Sequence, residues 1–321
     1  MGIKIVVGLM GSSVARGADT LQKTAGMQSF LDVCRRHKVT ELDTARVYAG
    51  GKSEEVAGAV SACTQFAVST KAPAFSPNSL TYDKIVANCN ASLKALQTDR
   101  VDIYYLHGPD RATPLEDQCR AIGDLYAQGR FARFGVSNIS PAEVQSIYDI
   151  CQREGYPLPK IYQGGYNPIG RGPEGELFPL LKKLGMGFYA FSPLGGGLLA
   201  KPIEELLKPK PGTRFDEMKI FGDIYLTEEI TAGLKEVQRV CDAQGVPLME
   251  ATMRWFRWHS VLAEEWGGEE NGVIVGASSD AQLEESLKAW EGEKLPQQIL
   301  DAWDALHRGL VENGKLPMYH S

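Results

Sequence analysis

Short, nearly continuous apolar runs alternate along this chain with longer stretches in which apolar residues recur every three or four positions. The first pattern suits strands covered on both faces, and the second suits amphipathic helices. Eight runs read as strands: Ile3–Leu9, Val39–Asp43, Phe66–Thr70, Val101–Leu106, Phe131–Val136, Lys160–Gly165, Gly187–Phe191 and Val273–Gly276. Between them, Ile85, Cys89, Leu93 and Leu96 form one helical stripe, and Leu115, Cys119, Ile122 and Leu125 form another. Val144, Ile147, Tyr148 and Cys151 give a third, and Ile230, Leu234, Val237 and Cys241 a fourth. The ends are punctuated too. Ser140-Pro141-Ala142-Glu143 combines a capping box with proline at the first helical position, and Ser279 with Gln282 forms a similar box before Leu283, Leu287 and Trp290. Gly129 stands where a helix ending near Gln128 needs its C-terminal cap.

Eight β-then-α units of roughly thirty residues each predict a (β/α)8 TIM barrel, as one domain over residues 1–321. A doubly wound sheet would place a G-x-G-x-x-G turn after an early strand, whereas Gly8 and Gly11 bracket only Leu9 and Met10. The regular spacing breaks once, between Phe191 and Val273, which predicts a long insertion between strands seven and eight. It carries Lys201-Pro202, the run Lys208-Pro209-Lys210-Pro211-Gly212, and Arg214. Barrel loops after strands seven and eight commonly bind phosphate, so this is the natural place for a large phosphorylated cofactor.

Composition narrows the partners. The 321 residues are 43% apolar and 23% charged, an ordinary soluble globular balance. A formal charge of −6 gives no general attraction to nucleic acid or to an anionic membrane. No apolar stretch approaches the roughly 18 residues of a membrane helix. The N-terminus opens directly on a strand rather than on a leader, and Val6 stands where myristoylation wants Ser or Thr. The six cysteines form no C-x-x-C pair, and four lie on helical stripes, as buried thiols of a reducing compartment would. A cytoplasmic location is expected.

Barrel active sites collect at the C-terminal ends of the strands. Asp43 ends strand two, Tyr48 lies in the loop after it, Lys71 ends strand three and His107 ends strand four. A free phenol, with a pKa of about 10, donates its proton poorly near neutrality. A neighbouring ammonium favours the phenolate and brings that pKa closer to the working pH. A lysine in a covered pocket would tend to lose its proton, and a carboxylate such as Asp43 keeps it charged. His107 could then orient a carbonyl oxygen. The set suits delivery of a proton to an oxygen that becomes an alcohol while a hydride arrives at carbon. The five histidines show no metal-ligand spacing, so no metal is expected, and no G-x-S-x-G elbow supports a hydrolase.

The strings D-T-A-R-V-Y, S-T-K-A-P, Y-L-H-G-P-D, G-V-S-N, Y-Q-G-G-Y-N, E-L-F-P-L-L and F-Y-A-F-S-P-L-G-G-G-L-L occur in an order and spacing that resemble the aldo-keto reductases along nearly the whole chain. The likeness is nearest to the aflatoxin-aldehyde and succinic-semialdehyde reductase branch with its fungal members; the tail Leu316-Pro317-Met318-Tyr319-His320 also resembles that branch and would lie near the active-site mouth. The resemblance implies Tyr48 as general acid, Lys71 and Asp43 as its tuners, and His107 as the residue that orients the carbonyl. It implies NADPH extended over the barrel mouth, with Ser137, Asn138 and Gln163 holding the nicotinamide carboxamide and Phe191 stacking on the ring. Ser192, Pro193, Leu194 and Gly196, within Ser192 to Leu199, match the segment near the pyrophosphate, and Arg214 matches a loop position that reaches back to the cofactor.

Gly276 to Ser286 match the segment around the adenosine 2′-phosphate. Many members carry Lys and Arg there; this chain has Gly276 and Gln282, with Ser278, Ser279, Glu285 and Ser286. A cradle of hydroxyls and an amide still implies NADPH, with NADH as the lesser cofactor. Met10, Phe75, Tyr225, Met318 and His320, with His107, are the expected substrate-pocket residues, and Gly108 is expected to widen the mouth. The implied function is reduction of a small aldehyde or ketone, in fungal secondary metabolism or aldehyde detoxification, by an enzyme that pairs as a homodimer. An imine or enone reductase is one alternative. A nucleotide-sensing subunit resembling potassium-channel β subunits is another, and an extended segment before strand one would favour it.

Overall fold

The computed structural model describes residues 2–11, 20–209, 214–217, 219–264 and 270–317. Eight strands form the centre: β1 (Lys4–Gly8), β2 (Glu41–Asp43), β3 (Ala67–Ala72), β4 (Val101–Leu106), β5 (Phe131–Ser137), β6 (Pro159–Gly165), β7 (Gly187–Phe191) and β8 (Gly272–Gly276). They pair in chain order, all parallel, and β8 returns to β1 to close the barrel. Every expected strand is present, with ends within two residues of those expected. One shift bears on the site. β3 runs on to Ala72, so Lys71 lies within the strand, paired with Tyr105, rather than at its end.

Strand alternation decides which side chains enter the barrel. Val6, Ile103, Tyr105, Ile161, Tyr189 and Ile274 pack together as an interior cluster, with Phe191 against them. The intervening residues, such as Val7, Leu42, Val68, Tyr104, Val136, Phe188 and Val275, belong to the larger core between strands and helices. The same alternation places Asp43, Lys71, Ser137, Gln163 and Phe191 on the interior face, at or near the C-terminal strand ends. His107 follows β4 in phase with Ile103 and Tyr105.

The interior is layered by chemistry. At the N-terminal end Glu41 accepts hydrogen bonds from Lys4 (2.9 Å) and the Tyr189 hydroxyl (2.6 Å), and Arg133 pairs with Asp102 (2.5 Å). Above lies the apolar cluster, then the polar upper layer. Fully apolar strands are therefore not the rule here. The continuous runs in the sequence reflect the outer face, while charged interior positions at both ends find charged partners, Arg133 reaching Asp102 on the neighbouring strand.

The helices follow their stripes. The Pro141–Glu154 helix has the complete Ser140/Glu143 capping box. At the Asp280–Trp290 helix Ser279 caps Gln282 N–H, but the return bond differs from the expected box: Gln282 Oε1 accepts from the N–H and hydroxyl of Ser278. Gly129 adopts φ +73 after the Leu115–Ala127 helix, as a cap residue should. The β7–β8 insertion contains the long helices Glu228–Ala243 and Leu248–His259, and the Gln297–Glu312 helix packs on the first of them. No helix among the described residues is long and apolar enough to cross a membrane.

Large interior aromatics require small partners. A Cβ on Gly135 would stand 2.3 Å from the Tyr105 ring, which also lies 5.6 Å from Lys71 Nζ. Gly135→Ala is expected to cost roughly 1–3 kcal/mol through overpacking. Urea denaturation checks this, and an unchanged midpoint would show that the ring moves aside freely.

Candidate active site

Lys71 is the centre of the site. Its side chain is 0% exposed, and an isolated ammonium there would be costly. Two acceptors meet it: Asp43 Oδ2 at 2.6 Å and the Thr44 carbonyl at 2.7 Å. Burial pulls its pKa down, but the Asp43 charge and then Tyr48 more than offset this, so Lys71 is held above its ordinary value and stays an ammonium. It lies 5.2 Å from the centre of the Tyr48 ring. A cation at that range stabilises the phenolate relative to the phenol.

Tyr48 begins a short 3₁₀ turn, Tyr48–Gly51, beyond β2. Ala49, Gly50 and Gly51 all adopt positive φ (49°, 63° and 95°), which brings the chain sharply back into the Lys52–Ala59 helix and leaves Tyr48 half-buried at the barrel mouth. Its ring meets that of His107 edge-on, centroids 6.0 Å apart. His107 is half-buried, and desolvation, followed by the Lys71 charge, lowers its pKa to about 3. The imidazole is therefore neutral at physiological pH. Among the described residues its buried Nδ1 has no hydrogen-bond partner. An unpaired acceptor is less costly there than an unpaired N–H, which puts the hydrogen on Nε2 as a donor.

The residues matched to the carboxamide shelf are wired into this group. Gln163 Nε2 donates to Asp43 Oδ1 at 2.8 Å, so Asp43 ties together Lys71 and Gln163. Asn138 Nδ2 donates to the His107 carbonyl and to Ser137 Oγ, both at 2.9 Å. With both its amide hydrogens engaged, Asn138 can offer Oδ1 as an acceptor, and Gln163 its Oε1, to the NH2 of a carboxamide, while the Ser137 hydroxyl, whose oxygen accepts from Asn138, can donate its hydrogen to the carboxamide oxygen. Asn138 and Ser192 hold φ values of +58 and +53 at the ends of β5 and β7, a local cost of the kind that clusters at functional sites. Phe191 is half-buried at the end of β7, and a Cβ on Gly165 would lie 3.5 Å from its ring.

Beyond it Pro193 is buried and Leu194 half-buried, and Gly195, Gly196 and Gly197 all take positive φ (55°, 71° and 110°). Gly195 and Gly197 donate their N–H groups to the Ser192 and Leu194 carbonyls, both at 2.9 Å, so the turn is closed by its own bonds, and three residues without side chains would let a pyrophosphate approach this backbone closely. Arg214 opens the Arg214–Glu217 helix, and its side chain lies outside the described residues. In the segment expected around a 2′-phosphate, Gly276, Gln282 and Glu285 are exposed and Ser278 and Ser279 half-exposed. Ser286 instead is buried, its hydroxyl 3.9 Å from Met249 Sδ, and so faces the helix layer.

The expected substrate residues separate. Met10 and Phe75 are exposed at the mouth, at 39% and 53%. Phe75 takes φ +70 and meets the His107 ring edge-on at 5.5 Å. It also corrects the expectation for Gly108. A Cβ there would stand 2.3 Å from the Phe75 ring, so the missing side chain makes room for Phe75 and does not widen the mouth. Tyr225 is buried, its ring 3.8 Å from a Cβ placed on Gly195, which sets it under the glycine turn. Met318 and His320 lie outside the described residues, as does the tail's approach to the mouth. Arg46, Glu54 and Tyr105 surround the site without having been singled out in the sequence. Arg46 and Glu54 stand eight positions apart across a turn whose shape only the structure reveals.

Comparison with known proteins places the chain in a family. The sequence profile of the aldo/keto reductase family matches residues 4–308. The chain is 40% identical over 283 residues to a protein named oxidoreductase sirO from Leptosphaeria maculans, covering 87% of this chain and 84% of that one. It is 37% identical over 314 residues to human aldo-keto reductase family 7 member A3, covering 93% and 92%. To human aflatoxin B1 aldehyde reductase member 4 it is 35% identical over 313 residues, again covering 93% and 92%.

The depressed His107 pKa has a consequence for stability. The unfolded chain takes up this proton near pH 6.5 and the folded protein only near pH 3, so the unfolded state binds more protons between those values. Stability contributed by neutral His107 should therefore be lost as pH falls through that window. Thermal melts of His107→Gln should show a shallower acid decline than wild type between pH 6.5 and the onset of general acid unfolding. Parallel declines would contradict the assignment.

Proposed function

Because the chain belongs to the aldo/keto reductase family, we propose that it is an NADPH-dependent reductase that converts an aldehyde or ketone carbonyl to an alcohol, with Tyr48 as general acid. The observation that carries this reading is the Lys71 ammonium, buried, held 2.6 Å from Asp43 and 5.2 Å from the Tyr48 ring. The nicotinamide, when bound, supplies the hydride. Asn138, Ser137 and Gln163 orient its carboxamide, Phe191 packs against the ring, and the Gly195–Gly197 turn receives the pyrophosphate. His107 Nε2 donates to the substrate oxygen and aims the carbonyl. As that oxygen gains negative charge, Tyr48 gives up its hydroxyl proton to it, and the adjacent ammonium stabilises the phenolate left behind.

NADPH is the cofactor assigned here on family resemblance and on the Ser278, Ser279 and Gln282 cradle, with NADH the poorer donor. The setting we assign is the cytoplasm of a fungus, in secondary metabolism or aldehyde detoxification, and the assembly a homodimer. The relatives named aldehyde reductases support the detoxification reading; the fungal setting, the cytoplasm and the homodimer rest on the resemblance to that branch of the family alone. An NADPH-consumption screen across aldehydes, ketoacids, quinones, cyclic imines and enones separates carbonyl reduction from its alternatives.

Tyr48→Phe should leave NADPH binding intact, as read by fluorescence titration, and lower carbonyl turnover by about 100-fold or more. Wild-type turnover in that variant would remove Tyr48 from the role of acid.

A further inference from the structure

Glu54 is a buried carboxylate that the mechanism above leaves unused. It sits in the first turn of the Lys52–Ala59 helix with its side chain 0% exposed. Both of its oxygens are occupied. Thr70, the residue before Lys71, donates its hydroxyl to Oε1 at 2.6 Å. Arg46, two residues before Tyr48, donates to Oε2 at 2.7 Å. The carboxylate thus joins the loop that carries Tyr48 to the strand that carries Lys71.

Arg46 is tied in at two further points. Its backbone N–H meets the Lys71 carbonyl at 3.4 Å. Its guanidinium lies flat against the far end of the turn, where a Cβ on Gly51 would stand 2.6 Å from Nη1 and 2.9 Å from both Cζ and Nη2. Between these contacts run Tyr48 and three consecutive left-handed residues, Ala49, Gly50 and Gly51, held by their own turn bonds from Tyr48 N–H to the Ala45 carbonyl (3.0 Å) and from Gly50 N–H to the Val47 carbonyl (3.3 Å), in a conformation that is locally costly and needs support from outside. Next to Glu54, Ser53 donates to the Leu9 carbonyl and contacts the Thr44 hydroxyl, both at 2.9 Å, so the same helical turn is fastened to the ends of β1 and β2.

We propose that the Arg46–Glu54 pair is a positioning clamp that sets the distance between Tyr48 and Lys71. This rests on the reading of Tyr48 as the acid. The electrostatic effect of an ammonium on a phenol falls with distance, and misplacement of a reacting group by about 1 Å can cost on the order of 100-fold in rate. The clamp acts on the proton step, so its loss lowers kcat while leaving the cofactor site, built on β5 to β8, in place.

The test compares Arg46→Ala, Arg46→Lys, Glu54→Gln and the double variant Arg46→Met/Glu54→Gln. For each, kcat and KM are measured with 4-nitrobenzaldehyde, NADPH affinity by fluorescence, and the melting temperature by calorimetry. The Tyr48 ionisation midpoint is read from alkaline difference absorbance against the same protein carrying Tyr48→Phe. Arg46→Ala should lower kcat by about 10- to 100-fold at nearly unchanged NADPH affinity. The Tyr48 midpoint should rise, and Arg46→Lys should recover part of both. If Arg46→Ala fails to fold because Glu54 is left buried and unpaired, the double variant removes both charges and carries the same expectation.

A lower melting temperature with wild-type kcat and an unmoved Tyr48 midpoint would reduce the pair to a structural tie and overturn the proposal. So would full recovery of kcat in the double variant. The Tyr48 titration needs no turnover. A shifted midpoint in a protein that reduces no carbonyl would keep the clamp and refute the reductase reading.

Discussion

A buried ammonium must be matched, and much of this site follows from how Lys71 is matched. Its partners come from the strand beside it: Asp43 through a charged hydrogen bond and Thr44 through its carbonyl. Asp43 spends its other oxygen on Gln163, across the barrel. One carboxylate therefore links the residue that would tune the acid to one that would hold the cofactor. Removing it would leave a buried charge uncompensated, an effect of about 3–5 kcal/mol for pairs of this kind. The same geometry that keeps Lys71 charged keeps His107 neutral, because the ammonium and desolvation act on the imidazole in the same direction. Two basic side chains beside each other are thus resolved into one ammonium and one neutral imidazole.

The barrel makes this arrangement affordable through simple alternation. Asp43, Lys71, Ser137, Gln163 and Phe191 come from five different strands, yet all fall on the interior phase near the same end. The apolar cluster of Val6, Ile103, Tyr105, Ile161, Tyr189 and Ile274 lies under them and separates them from the Glu41 and Arg133 pairs at the other end. The polar upper layer therefore sits on a packed floor, open only toward the mouth. Access from the mouth and exclusion of water from below have one structural cause.

Much of this was legible in the sequence. Apolar runs gave eight strands because the outer face of each strand is buried under helices and admits little but hydrophobes. Strand-end polar residues pointed to the site because a barrel sends them to one face. What the sequence hid were properties of turns. Nothing in A-G-G-K-S-E-E announces that Glu54 folds back under Arg46, since the three left-handed residues that return the chain are one alanine and two glycines that read as an ordinary flexible loop. Gly108 hides its role for a related reason. A missing side chain suggests open space, but Phe75, with φ +70, fills it from the loop after β3. Tyr225 and Ser286 show the same limit, because a position in a binding segment does not say which way a side chain turns.

The central claim is that Lys71 tunes Tyr48 as the proton donor. The most direct measurement is the pH dependence of single-turnover carbonyl reduction by wild type and Lys71→Met, both saturated with NADPH. Without the ammonium the phenolate loses its stabilisation. The rate near neutrality should then fall and the alkaline limb, where Tyr48 has lost its proton, should move to higher pH. Superimposable profiles for the two proteins would contradict the account.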